Sequence, residues 1–337
     1  MSFNSIKSKQ FIIINALFIL LIIMTIIGIW NGSFNTPLLK YLTNDVKSIE
    51  EIVLLKIRIP RVILAILVGS SLSLSGACLQ GLFRNPLADP GLIGVSAGAA
   101  LGAAISIVIG SHYLLNFTAY TYLIPLFAIL GAICVVCLLF VITKGFQYSN
   151  ITYMLLAGIA INSFAGVGIG ILTYISDDVE LRGLTFWTMG SLGGANWILV
   201  SPAFAIIVLT IIWTLQSARQ LDILQLGESE AYRLGVNVKR LKIRIIISSS
   251  IMVGISVALS GIIGFVGLVI PHIIRLMGGV NHKYLMFGSL LSGAILMVLA
   301  DLICRVIVAP AELPIGLITS AIGAPFFLWL IFKMQTQ

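Results

Sequence analysis

From Phe11 to Trp30 the chain runs without a charged side chain, and stretches of the same kind recur to its end. A helix crosses the hydrocarbon core of a bilayer with roughly 20 apolar residues. Ten segments meet or approach that length: 10–31, 60–82, 91–111, 121–143, 151–174, 193–215, 244–262, 264–279, 284–305 and 314–333. The seventh and eighth are divided only by Gly261, Gly264 and Gly267. Apolar residues make up 59% of the 337 and charged residues 9%, whereas a soluble domain carries about 25% charged residues. No water-soluble fold of this length hides so much apolar surface. The expected fold is an all-α polytopic membrane protein, one transmembrane domain over residues 1–337.

Lys7 and Lys9 precede the first span. A signal peptide begins that way, but this apolar run exceeds a typical h-region and no small-x-small cleavage site follows, so a retained helix is expected. An even number of spans puts both termini on one side. With the termini in the cytoplasm, Lys40, Lys47, Lys56, Arg58, Arg61, Arg182 and Arg305 lie outside and the other 13 of the 20 Lys and Arg lie inside. That is the bias of positive-inside insertion. It also accounts for the net charge of +8: the basic residues sit in short loops, and no basic face is left for a nucleic acid. Cys134 and Cys137 form a C-x-x-C with no second Cys or His pair. With Cys78 and Cys304 they read as small apolar packing residues.

Two loops are long. Residues 32–59 fall outside, with helix expected near 48–56. Residues 216–243 fall inside and form the most polar stretch. There Gln225-Leu-Gly-Glu-Ser-Glu-Ala-Tyr-Arg-Leu-Gly235 sets helix-favouring residues between two glycines, so a short surface helix is expected with Gly227 and Gly235 at its ends. A solvated loop would explain the polarity but not the helix formers.

Val68-Gly-Ser-Ser-Leu-Ser-Leu-Ser-Gly76 matches Val253-Gly-Ile-Ser-Val-Ala-Leu-Ser-Gly261, and Gly131-Ala-Ile133 echoes Gly293-Ala-Ile295. The second span runs inward and the seventh outward, so the repeat is inverted, with halves at roughly 60–174 and 244–333. Transporters with a central site are built this way; chance likeness among small apolar residues is the alternative. Glycines at four-residue spacing, at 94, 98 and 102 and at 166 and 170, make faces for close helix packing.

The sequence carries no G-x-x-x-x-G-K-[ST] and no H-E-x-x-H, which excludes a P-loop ATPase and the metalloproteases built on that zinc motif. His112, His272 and His282 lack metal-ligand spacing, and His272, beside Pro271, reads as a hydrogen-bonded structural histidine. Asp89, in Asn85-Pro-Leu-Ala-Asp-Pro-Gly91, stands at the mouth of the third span. A carboxylate there serves equally as a helix cap or a functional contact. Charges inside the membrane are expensive. Asp301 precedes Arg305 by four residues, so the two share a helix face: a local ion pair, or an arginine presented to an external partner. Arg58 and Arg61 make a second outward basic spot, either a membrane-edge anchor or a docking point. The residues alone leave both choices open.

Arg58-Ile-Pro-Arg61, Leu79-Gln-Gly-Leu-Phe-Arg-Asn-Pro-Leu-Ala-Asp-Pro-Gly-Leu-Ile-Gly-Val-Ser96, Gly264-Phe-Val-Gly-Leu-Val-Ile-Pro-His272 and Glu312-Leu-Pro-Ile-Gly316 together resemble the FecCD family. These are permease subunits of type II ABC importers for vitamin B12, iron-siderophores and haem, and the resemblance covers nearly the whole chain. It implies ten helices per subunit, as in the vitamin B12 permease, with a second copy of the chain across the pathway. Two ATP-binding subunits are implied on the cytoplasmic face and a soluble binding protein on the external face. The resemblance further implies that Arg58, Arg61 and Arg305 dock the binding protein. It implies that segment 217–240 couples to the ATPase through Gly227, Glu228, Ala231, Tyr232, Arg233 and Gly235. Asn281-His-Lys283 stands where the family usually has Asp-His-Arg.

ATP and magnesium belong to the partner subunit, so this chain is expected to be no enzyme and to bind no cofactor or metal. The segments Phe83–Ser96 and Phe186–Trp197 are most similar to haem permeases. The expectation is a haem permease in the cytoplasmic (inner) membrane of a bacterium, surrounded by lipid. Iron-siderophore or cobalamin transport is the nearest alternative. An ion-coupled secondary transporter is more distant, since it needs intramembrane charge relays and only Asp301 is offered.

Overall fold

A computed structural model describes residues 3–32, 51–113, 120–143 and 151–335. Of the helix expected near 48–56, only the part from Glu51 falls within them. In chain order the helices are α1 (Phe3–Trp30), α2 (Ile59–Phe83), α3 (Val95–Tyr113), α4 (Tyr120–Ile142), α5 (Ile151–Ile175), α6 (Asp178–Met189), α7 (Trp197–Leu215), α8 (Ala218–Leu224), α9 (Glu228–Arg233), α10 (Val238–Ser260), α11 (Val266–Gly278), α12 (His282–Val306) and α13 (Ile315–Gln335). A π-helical turn, Val53–Arg58, leads directly into α2. All ten expected spans are present as helices, and α6, α8 and α9 lie between them. Seven have the length and apolarity to cross a membrane by themselves; α3, α11 and α13 hold shorter apolar stretches, 95–110, 266–278 and 315–330.

The seventh and eighth spans separate where the backbone turns through two left-handed residues, Gly261 (φ 71°) and Phe265 (φ 67°). At Gly261 a side chain would also strike the Trp187 carbonyl. Glycine is what this turn requires.

α2 is the centre of the bundle and almost wholly buried. α12, α10, α11 and α7 pack around it. Small residues allow the approach. Gly69 of α2 rests on the Gly293 carbonyl of α12, and a Cβ at either glycine would overlap the other's backbone oxygen. The same device joins α3 to α4, where Gly98 meets Gly131 and Gly102 meets the Phe127 carbonyl. Without a hydrophobic drive between helices in lipid, such backbone contact and interhelical hydrogen bonds do the joining. Ser73 Oγ supplies one, donating to Ser289 O at 2.8 Å.

The periphery is apolar and open. α1 packs along α12 and otherwise faces outward. α5 exposes Phe164, Val167, Ile171 and Tyr174, and its Gly166 and Gly170 face empty space. Cys134 and Cys137 are exposed on α4, while Cys78 and Cys304 are buried; all four are free thiols.

Candidate functional sites at the two ends

The polar groups gather at the two ends of the bundle. One end is built on α1, α2 and α12. Asn31 N–H closes on Ile27 O, which leaves the carbonyls that follow it without a helical partner. Two arginines supply the donors. Arg58 Nη1 lies 2.8 Å from Trp30 O and 3.3 Å from Ile29 O. Arg305 Nη2 lies 3.0 Å from Gly28 O, and Nη1 3.1 Å from Asn31 O. Both cations also oppose the negative end of the α1 dipole.

Arg305 forms the expected ion pair with Asp301, Nε to Oδ2 at 3.0 Å. The other oxygen of Asp301 takes Arg61 Nε at 2.8 Å, and Arg61 Nη1 reaches Glu312 at 2.7 Å. Arg58, Arg61 and Arg305 are 4%, 6% and 5% exposed. The structure therefore brings the three arginines together but turns their charge inward. Each guanidinium is taken up by backbone carbonyls at the end of α1 or by the carboxylates of Asp301 and Glu312. The exposed acid of the group is Glu312, in the loop 307–314.

The opposite end is built on α8 and α9. α9 begins after Gly227 (φ 114°) and ends before Gly235 (φ 81°), the two expected boundaries. Both glycines hold left-handed backbone that other residues adopt at a cost. Ala231 is fully buried against the bundle and Glu228 pairs with Lys242 at 2.8 Å. On the outer side Tyr232 is 77% exposed, flanked by exposed Leu226 and Leu234, and Arg233 pairs with Glu230 at the surface. Apolar groups are thus held out at a polar end, on a helix anchored from beneath.

Sequence reasoning did not find α8. Its Asp222 binds the start of α12 at His282, and its Gln225 binds Gly81 O of α2. Asp89 is a cap: its Oδ1 accepts from Gly91 N at 2.7 Å at the start of a 3₁₀ turn. Burial pushes its carboxyl above the usual range, and the Gly91 amide pulls it back. His272 departs from expectation. It stands edge-on to Phe326, and neither buried ring nitrogen has a hydrogen-bond partner. Packing against α13, not hydrogen bonding, holds it. Among the described residues no group of three His, Cys, Asp or Glu is placed to hold a metal ion.

Ten apolar helices around a glycine- and serine-joined pair, seven of them long and apolar enough to cross a membrane, define a multi-pass α-helical membrane protein. The chain belongs to the FecCD transport family, whose pattern matches residues 16–333. It is 47% identical over 283 residues to the hemin transport system permease protein of Yersinia pestis, 84% of each chain. It is 40% identical over 285 residues to the vitamin B12 import system permease protein of Salmonella typhi, again 84% of each. Among solved structures, a metal-chelate type ABC transporter in an inward-facing conformation matches with a TM-score of 0.84 and 34% identity, over 95% of this chain and 99% of that one.

Proposed function

We propose that the chain is the permease subunit of an ATP-driven importer in a bacterial cytoplasmic membrane, and that its cargo is haem. The observation that carries the mechanism is α9, a six-residue helix fixed at Ala231 with Tyr232 and Arg233 at its surface. Haem as cargo rests on the 47% identity to the Yersinia hemin permease. The 40% identity to a vitamin B12 permease favours cobalamin as the second reading.

Both termini are cytoplasmic in this reading, which puts α8 and α9 inside, against two ATPase subunits that hold the ATP and magnesium. A second copy of the chain faces α5, whose glycines have room for close contact. The external binding protein docks at the arginine end. Arg58, Arg61 and Arg305 serve it there by fixing α1 and the Glu312 loop, in place of pairing with it directly. The halves 60–174 and 244–333 rock as an inverted repeat. Its support is the matched positions Gly69 and Gly254: Gly69 meets Gly293 of α12, and Gly254 meets Ala132 of α4, beside Gly131.

In proteoliposomes with the ATPase and binding protein, haem uptake is expected to require ATP. ATP-independent uptake would end the importer reading, and preference for cobalamin or a ferric siderophore would reassign the cargo. Tyr232→Ala is expected to change stability by less than about 0.5 kcal/mol, as exposed substitutions do, while ATPase co-purification falls. Full retention of the ATPase would remove α9 from that interface.

A further inference from the structure

Between α9 and the centre of the bundle lies α8, and the side chains of its Asp222 and of Gln225, the residue that caps its end, grip two different helices. Asp222 Oδ1 accepts the His282 backbone N–H at 2.8 Å and lies 2.7 Å from His282 Nδ1. Asn281 Nδ2 reaches Asp222 Oδ2 at 3.4 Å. Three residues on, Gln225 Nε2 donates to Gly81 O at 2.9 Å. Residues three apart share a helix face, so one face of α8 holds the first turn of α12 and the last turn of α2 together. His282 fills the joint: it is 4% exposed, and its Nε2 edge sits where a Cβ on Gly81 would have to go.

α2 and α12 are in turn joined along their length, by Gly69 on Gly293, by Ser73 on Ser289, and at the far end by Arg61 on Asp301. A close-packed pair of this kind transmits displacement instead of absorbing it. α8 also leads straight into α9 through Gln225, Leu226 and Gly227.

We propose that Asp222 and Gln225 are positioning residues that carry motion of α8 and α9 into the α2–α12 pair, which delivers it across the membrane to the arginine end. The proposal rests on the importer reading above. The test compares the Asp222→Ala/Gln225→Ala double variant with the unsubstituted chain, each reconstituted with the ATPase and binding protein.

ATPase co-purification and ATP hydrolysis are expected to persist, while haem uptake falls by about ten-fold, the size of an ordinary coupling between sites. Asp222→Asn keeps an oxygen for the His282 N–H and is expected to restore most of the uptake. Unchanged uptake in the double variant overturns the proposal. So does loss of ATPase co-purification, which would make α8 a docking surface. If the double variant unfolds early, Gln225→Ala alone, which keeps the Asp222 bonds to α12, is read in the same way. A lack of ATP-dependent uptake by the unsubstituted protein would show that the importer reading has failed, and the link with it.

Discussion

Asp301→Ala is expected to destabilise the folded protein by about 3–5 kcal/mol, the loss found when one partner of a buried ion pair is removed. Asp301 is 1% exposed and neutralises two guanidinium groups that are hardly more accessible, at 2.8 and 3.0 Å. Without it, Arg61 keeps Glu312 and Arg305 keeps only backbone carbonyls, those of Gly28, Asn31 and position 301. Two cations are then buried against one half-exposed acid. Asp301→Asn retains an oxygen for Arg61 and is expected to lose less.

Arg305→Met, which removes a charge and two caps of α1 together, leaves Asp301 paired with Arg61 and is expected to free the end of α1 first. Thermal unfolding in detergent gives the magnitudes, and protease access beyond Trp30 reports on α1. The effect is expected to persist in high salt, since buried pairs are screened far less than exposed ones. A loss under about 1 kcal/mol would place the network with exposed ion pairs and would contradict its burial.

The same residues show what was legible in the sequence. Each span could be read because crossing a bilayer needs a long apolar run, a property of adjacent residues. Gly227 and Gly235 could be read because a left-handed backbone at both ends of α9 selects glycine locally. Arg58, Arg61 and Arg305 stood out as charges at span ends, and Asp301 as a neighbour of Arg305, yet their distant partners did not. Arg61 meets Asp301 across 240 positions of sequence, and Arg305 meets Gly28 across 277. No local pattern carries such pairings.

α8 was missed for the same reason, since Asp222 and His282 become neighbours only in the fold. α6 was missed although a local signal existed. Asp177 and Glu180 form a reciprocal capping box, with Asp177 Oδ1 accepting from Glu180 N at 2.8 Å and the Glu180 side chain from Asp177 N at 3.2 Å. That D-x-x-E spacing is readable as a helix start.

Gly69→Val is expected to abolish correct packing of the bundle, whereas Gly170→Ala leaves it intact. Both glycines lie in membrane helices, and composition does not tell them apart. At Gly69 the new Cβ would fall on the Gly293 carbonyl and within 2.7 Å of Met297 Cγ. Met297 can turn aside, but the carbonyl belongs to the α12 ladder and cannot. The pair must part, which breaks the Ser73–Ser289 hydrogen bond and loosens the seat of α1 on α12. Overpacking a core costs about 1–3 kcal/mol where side chains yield, and here backbone meets backbone, so the loss is expected above that range.

Gly293→Val approaches the same joint from the other side and is expected to do equal damage. The double substitution is expected to fall short of the sum, because residues in contact are not additive. Thermal unfolding and size-exclusion profiles in detergent measure all three. A Cβ added at Gly170 would meet no atom within 4 Å, and Ala in a helix is favoured over Gly by about 1 kcal/mol. An unchanged or higher melting temperature is expected there. If Gly170→Leu then keeps the fold but loses uptake, the space it fills belongs to the second copy facing α5, since nothing within the subunit is close enough to object.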